Sequence, residues 1–154
     1  MLFTKTRLKN MALKAFLDAN ILLDFLLKRE NYSVSRKVVA LAVEGRIVAY
    51  VTPAIIHIVG YWLTKAYGSK KTKELLLTLL TDIRVIDISH DMTIMALNSK
   101  IDDIEDALQY YSALANKLDY FISSDKKFQK LAIPSLPVVP PEYFINSVIN
   151  TSPN

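Results

Sequence analysis

Two apolar runs in this chain stop at an aspartate. Phe16-Leu17 ends at Asp18, and Phe121-Ile122 leads through Ser123-Ser124 to Asp125. A third set of acids, Asp102, Asp103, Glu105 and Asp106, precedes Ala107, Leu108, Ala113 and Leu114, which recur at helical spacing. Short apolar runs of this kind read as buried strands, and in open parallel sheets ligands bind beyond the carboxyl ends of the strands. Acids at a helix start also have a structural use, because they complement free amides and the helix dipole, and for Asp103 and Glu105 that reading is preferred. Asp106 is different. At spacings of three and four, Asp102, Asp103 and Asp106 fall on or near one helix face. Carboxylates that converge repel one another unless cations are present, and hard oxygen donors in that number suit Mg²⁺ or Mn²⁺. Such ions clamp a phosphodiester, activate a water and stabilise the leaving oxygen.

The elements that must position these acids alternate in type. Strands are expected at 14–17, 47–51, 83–88, 120–122 and 137–139, from their branched and aromatic apolar residues. Helices are expected over 21–27, 33–44, 53–67, 69–80, 90–100 and 103–118, with a last one from Pro141. Val34, Val38, Leu41 and Ala42 mark the face of the second, and Leu75, Leu76, Leu79 and Leu80 that of the fourth. Pro53 suits a first helical turn and Gly45 and Gly68 suit helix ends. Strands alternating with helices imply βαβ units and a parallel sheet covered on both faces. The chain shows no repeat, low-complexity tract or internal linker. The expected organisation is an N-terminal extension over 1–12, one α/β domain over 13–149 and a tail over 150–154.

Composition narrows the chemistry. The 154 residues are 51% hydrophobic, enough for a core, and contain no cysteine. A disulfide framework, a thiolate metal site and a cysteine nucleophile are therefore excluded. The net charge of +4 favours polyanions but equally serves solubility. Lys5, Arg7, Lys9 and Lys14 precede an apolar stretch, as in a signal peptide, but Asp18 and Asp24 interrupt it and no small-residue cleavage site follows. No apolar run is long enough to span a membrane, and the expectation is a cytoplasmic protein.

Three segments carry a resemblance. Phe16-Leu17-Asp18-Ala19-Asn20-Ile21-Leu22-Leu23-Asp24 resembles the opening strand and turn of PIN domains. Glu105-Asp106-Ala107-Leu108-Gln109 is similar to their central acidic helix motif, and Ile122-Ser123-Ser124-Asp125-Lys126-Lys127-Phe128 to their closing strand. The order and spacing hold from about Lys14 to Ile145. The resemblance implies a three-layer α/β/α PIN-like fold with a mostly parallel sheet of four to five strands. It implies a Mg²⁺- or Mn²⁺-dependent endoribonuclease, with Asp18, Asp106 and Asp125 as catalytic and metal-binding residues and a metal-activated water as the attacking group. Asn20 would position the site and Ser123 would support the last acid by hydrogen bonding. Many members of this size are toxins of type II toxin–antitoxin modules, so an RNA substrate, an antitoxin protein and a homodimer are the implied partners. The second and third helices, being apolar, suit a dimer interface, though core packing explains the same residues.

One departure stands out. PIN domains usually place a further acid, commonly Glu, on the helix after the second strand. Residues 52–62 here hold none, and His57 is the nearest polar candidate. It either packs as a hydrogen-bonded histidine or approaches the phosphate. Asp24, Asp103 and Glu105 are the possible substitutes for the missing ligand, and Asp24 could equally be solvated. The departure keeps a second reading open, a weak or inactive PIN-like module that binds RNA or an antitoxin. Tyr61, Trp62, Tyr110 and Tyr111 are aromatic residues able to stack on bases, but their helical spacing suits core or interface. An aspartyl-nucleophile phosphatase of the haloacid dehalogenase type needs a second Asp two residues after the first. Asn20 occupies that position.

Overall fold

The computed structural model describes residues 12–150. Strand β1 (Leu13–Leu17) is completely buried from Ala15 to Leu17, as an interior parallel strand covered on both faces must be. It pairs on one side with β2 (Ile47–Val51), and Ala15 faces Ala49. On its other side it pairs with β4 (Tyr120–Ile122), with Phe16 opposite Phe121. Strands β3 (Ile83–Val85) and β5 (Val138–Val139) complete a five-stranded sheet of order β3-β2-β1-β4-β5, and every pairing is parallel. The chain builds outward from β1 through β2 to β3 and then returns to the far side of β1 for β4. That reversal puts a topological switch point at the carboxyl ends of β1 and β4.

Helix α1 (Ala19–Leu26) packs on α2 (Tyr32–Val43) and α3 (Pro53–Tyr67), and α3 packs on α4 (Ser69–Leu79). Helix α5 (His90–Leu97) packs on α6 (Ile104–Ala115). The sheet between helices gives the three-layer α/β/α architecture expected. Phe16 stacks on Phe121 with ring centroids 4.6 Å apart. Tyr110 of α6 lies against Phe121 at 6.0 Å and Phe128 at 5.4 Å. Its hydroxyl donates to the Leu136 carbonyl at 2.7 Å and accepts the Ile133 N–H at 2.8 Å. One side chain thus fastens α6 to the strand and to the turn before β5.

Several boundaries differ from expectation. The third strand stops at Val85 rather than Ile88. Ile86 N–H still reaches the Val51 carbonyl at 2.8 Å, but the Ile88 N–H turns to the Asp87 carboxylate at 2.8 Å. A local side-chain acceptor there replaces the ladder. Helix α7 (Lys126–Leu131) was not expected; it is short, and its start is fixed by Asp125. After α8 (Pro141–Tyr143) the chain continues as a π-helical turn over Phe144–Ile149 rather than as a regular helix. The expected extension lies outside the described residues up to residue 11, and the expected tail from residue 151. Among the described residues no helix is long and apolar enough to cross a membrane.

Candidate active site

Asp18 is the residue that follows β1. Its backbone stays extended (φ −64°, ψ 151°), and its N–H donates to the Ile122 carbonyl at 3.1 Å, which extends the β1–β4 ladder past the strand end. Ser123 follows β4, with its N–H on the Val139 carbonyl at 3.0 Å. The two residues are therefore neighbours by register. Asp18 precedes α1 but its side chain does not cap that helix. It accepts the Ser123 hydroxyl instead, Oγ to Oδ2 at 2.8 Å.

The completely buried Ser123 also accepts the Asp125 N–H on Oγ at 3.2 Å. Its carbonyl takes the Gln129 side-chain amide at 2.9 Å. Asp125 in turn caps α7, Oδ1 accepting the Phe128 N–H at 3.1 Å. One carboxylate oxygen of Asp125 is thereby fixed, which sets where the other points. Sequence reasoning gave Ser123 to the last acid. The structure gives the Ser123 hydroxyl proton to the first acid and only a backbone contact to the last.

Asp103 caps α6, its Oδ1 accepting the Asp106 N–H at 2.9 Å. This is the helix-start role expected from its position ahead of the helix. It also lines a cleft of about 390 Å³ together with Asp18, Glu105, Asp106 and Asp125. Asp102 does not; it turns to Lys127 at 3.9 Å on the open surface. Five carboxylates thus share one concavity at the switch point of the sheet. Burial pushes the Asp106 carboxyl up to about 7, helped by the charges of Asp103, Asp18, Asp125 and Glu105. Asp18 is also raised, chiefly by burial, with Ser123 and the Ala19 backbone opposing the shift and Asp125 and Asp103 adding to it. Glu105 is raised by burial and then by Asp103 and Asp18.

The opposite wall comes from α1, the loop after it and α3. Ala19, Asn20 and Leu23 line it from α1, Arg29 from the loop, and Ile58 and Trp62 from α3. Asp24, the candidate substitute ligand, is not among the lining residues; it lies one turn beyond Asn20 on α1, half-buried. His57 is not there either. It is exposed and lines a different groove, between α3 and α4, with Tyr61, Lys65 and Lys73. The neighbouring Ile58 takes the place facing the acids, because one residue along a helix turns the side chain by about 100°. Thr52 caps α3, its Oγ1 accepting the Ile55 N–H at 3.4 Å and hydrogen bonding the buried Gln109 side chain. That contact ties the α3 start to α6, just behind Asp106.

Sequence reasoning passed over Arg29 and placed Trp62 in core or interface. Trp62 stands four residues after Ile58 and so shares its helix face, but no local signal turned that face toward the acids. Arg29 had no signal either, because it sits in a loop with no periodicity.

Chemically, the site offers a set of hard oxygen donors with an excess of like charge. Among the described residues no three acidic or histidine side chains are gathered tightly enough to hold a metal ion on their own. The donor chemistry fits a small hard cation that keeps part of its water shell, as Mg²⁺ characteristically does.

Residues 14–127 match the sequence model of the PIN domain. No curated protein sequence matches the chain. Its fold is similar to VapBC2 from Rickettsia felis bound to a DNA fragment from its promoter, at 17% identity and a TM-score of 0.61, covering 82% of this chain and 97% of that one. A toxin–antitoxin complex from Klebsiella pneumoniae is similar at 22% identity and a TM-score of 0.62, over 82% and 97% of the two chains. VapC20 from Mycobacterium tuberculosis, a sarcin-ricin loop cleaving toxin, is similar at 11% identity and a TM-score of 0.61, over 80% and 98%.

Proposed function

The chain belongs to the PIN-domain family, and on that premise we propose that it is a metal-dependent endoribonuclease whose centre is Asp18, Asp106 and Asp125. The observation that carries this reading is the meeting of three acids, from β1, α6 and the turn after β4, in one cleft at the sheet's switch point. Asp103 and Glu105 line the same cleft and are the acids placed to stand in for the ligand missing from α3. Asp18, Asp106 and Asp125 would hold Mg²⁺ or Mn²⁺, which when bound would supply positive charge for the phosphodiester and lower the pKa of an attacking water.

The chain's own residues prepare that cleft. Ser123 fixes the rotamer of Asp18, and the α7 cap fixes Asp125. Burial first, and then the charges of its acidic neighbours, raise the Asp106 carboxyl to about 7, so it shares a proton with solvent near neutral pH. Asn20 lies on the cleft wall beside Asp18, within the mouth that substrate must pass.

The same reading makes the protein the toxin of a type II toxin–antitoxin pair. It acts in the cytoplasm as a homodimer held in check by an antitoxin protein. The similarity in fold to the Klebsiella and Rickettsia complexes supports this.

A second reading is favoured by one observation. Ile58 stands on the cleft wall, on the helix where the family usually supplies an acid. On that reading the protein is a weak or inactive PIN-like module that binds RNA or an antitoxin. Incubation with single-stranded RNA in Mg²⁺ or Mn²⁺ separates the two. Cleavage abolished by Asp18→Asn, Asp106→Asn or Asp125→Asn, with circular dichroism unchanged, supports the nuclease. Tight binding without turnover in either metal supports the module, and chelator-resistant cleavage overturns the nuclease reading.

A further inference from the structure

Trp62 is the single tryptophan of the chain, and it is 44% exposed on the lip of the acidic cleft. Leaving that much of an indole in water is costly, and its position beside the carboxylates is not explained by core packing. Tyr61 meets it edge-on at 5.3 Å and is itself 51% exposed. The Lys65 ammonium lies over both rings, 4.5 Å from the Tyr61 centroid and 5.4 Å from that of Trp62. On the same wall, the exposed Arg29 is the one cation among the lining residues and has no ion-pair partner among the described residues. An exposed guanidinium at the edge of a cleft of five acids is placed to meet an anion that arrives with the ligand, and its planar fork matches a phosphate.

We propose that Trp62 is the base-stacking platform of the cleft, with Arg29 and Lys65 taking the phosphates on either side of the stacked nucleotide. This rests on the reading of the cleft as a phosphodiester site and names how the substrate is held there. The chemistry selects an unpaired nucleotide. An indole offers a face to a base, and in a duplex both faces of each base are already covered by stacking. The two cations also offset the repulsion that the acids exert on a polyanion. Lys65 rides on a flexible stem, so its ammonium leaves the ring for a phosphate without moving the helix. Lys65 also lines the groove between α3 and α4, together with Lys73.

Because Trp62 is the only tryptophan, its fluorescence reports this contact directly. The full-length Asp18→Asn protein, in Mg²⁺, is titrated with a short mixed-sequence single-stranded RNA, with binding followed in parallel by anisotropy of an end label. The expected result is quenching of Trp62 emission in step with the anisotropy, and little quenching by the matching duplex. Trp62→Ala weakens binding roughly tenfold or more, and Trp62→Phe restores much of it. Arg29→Ala and Lys65→Ala each lower the salt dependence of binding by about one phosphate contact. RNA that binds without changing Trp62 emission, equal affinity of Trp62→Ala, equal quenching by duplex, or no RNA binding at all overturns the proposal. Quenching in the Asp18→Asn protein together with no cleavage by the unsubstituted protein in Mg²⁺ or Mn²⁺ keeps this inference and removes the nuclease reading. Cleavage with an unchanged KM in Trp62→Ala does the reverse.

Discussion

The Ser123 hydroxyl donates to Asp18 Oδ2 at 2.8 Å, and its oxygen accepts the Asp125 N–H at 3.2 Å. Two acids that lie 107 positions apart in the chain are thus held by one buried oxygen. The parallel register between β1 and β4 makes this contact, because it sets the residues after both strands side by side.

Ser123→Ala removes both contacts. It leaves a half-buried carboxylate and a backbone N–H short of a partner, which costs about 1–3 kcal/mol. Urea denaturation reads the stability, and RNA cleavage falls with it. Ser123→Thr keeps the hydroxyl but adds a methyl to a fully buried site, so it restores the bond only if the strand end yields. A Ser123→Ala protein as stable and as active as the parent would show that the bridge is dispensable.

Ile58→Glu is expected to place a sixth acid on the cleft wall. In metal-free protein this lowers thermal stability, because another carboxylate is desolvated among like charges. In Mn²⁺ or Mg²⁺ it raises cation affinity and cleavage. Isothermal titration with Mn²⁺ and a cleavage assay check both effects, and a variant with unchanged cation affinity would count against this position as the family's missing ligand site.

The carboxyl of Asp106 is raised to about 7 from an ordinary 3.8, with Asp18 and Glu105 raised in the same direction. A raised acid binds its proton more tightly in the folded state, so stability rises as pH falls. Metal-free protein therefore gains thermal stability from pH 8 down through about 7 toward the range where unfolded carboxylates protonate. Asp106→Asn flattens that slope. Added Mg²⁺ opposes it, since protons and cation compete for the same oxygens. Melting curves across pH with and without chelator test this, and a melting temperature that climbs with pH in chelator would contradict it.

Asp125 carries two roles that substitution can separate. Asp125→Asn keeps the α7 cap and loses the charge, so stability holds while cleavage disappears. Asp125→Ala loses the cap as well, at about 1 kcal/mol. Chemical denaturation of the two variants side by side shows the difference.

Tyr110→Phe removes a hydroxyl that both donates to Leu136 and accepts from Ile133. The expected cost is about 1–3 kcal/mol in denaturant midpoint analysis, from polar groups left unpaired beside the core. Cation affinity should not change, because the ring and its stacking remain.

Much of the architecture was legible because periodicity records burial. The unbroken apolar run before Asp18 marked an interior strand, and Leu75, Leu76 and Leu79 marked the inward side of α4. Capping and turn residues bounded the helices well, with Pro53 and Gly68 at the two ends of α3. Helix α7 escaped notice because six residues, Lys126–Leu131, are too few to show a helical period. The third strand was read too long because Ile86 and Ile88 keep the alternation after Asp87 has already captured the backbone.

For the candidate site, the sequence by itself determined which acids end strands and which start a helix, and so which edge of the sheet they share. That follows from local rules, since strand ends and helix starts are written in neighbouring residues. Only the tertiary structure decided which side chains meet across that edge. It set Ile58 rather than His57 toward the acids, left Asp24 outside and brought in Arg29 and Trp62. It also gave Asp18, not Asp125, the Ser123 proton. These outcomes depend on helix rotation and strand register, which are fixed by packing between elements far apart in the chain, and no local pattern encodes them.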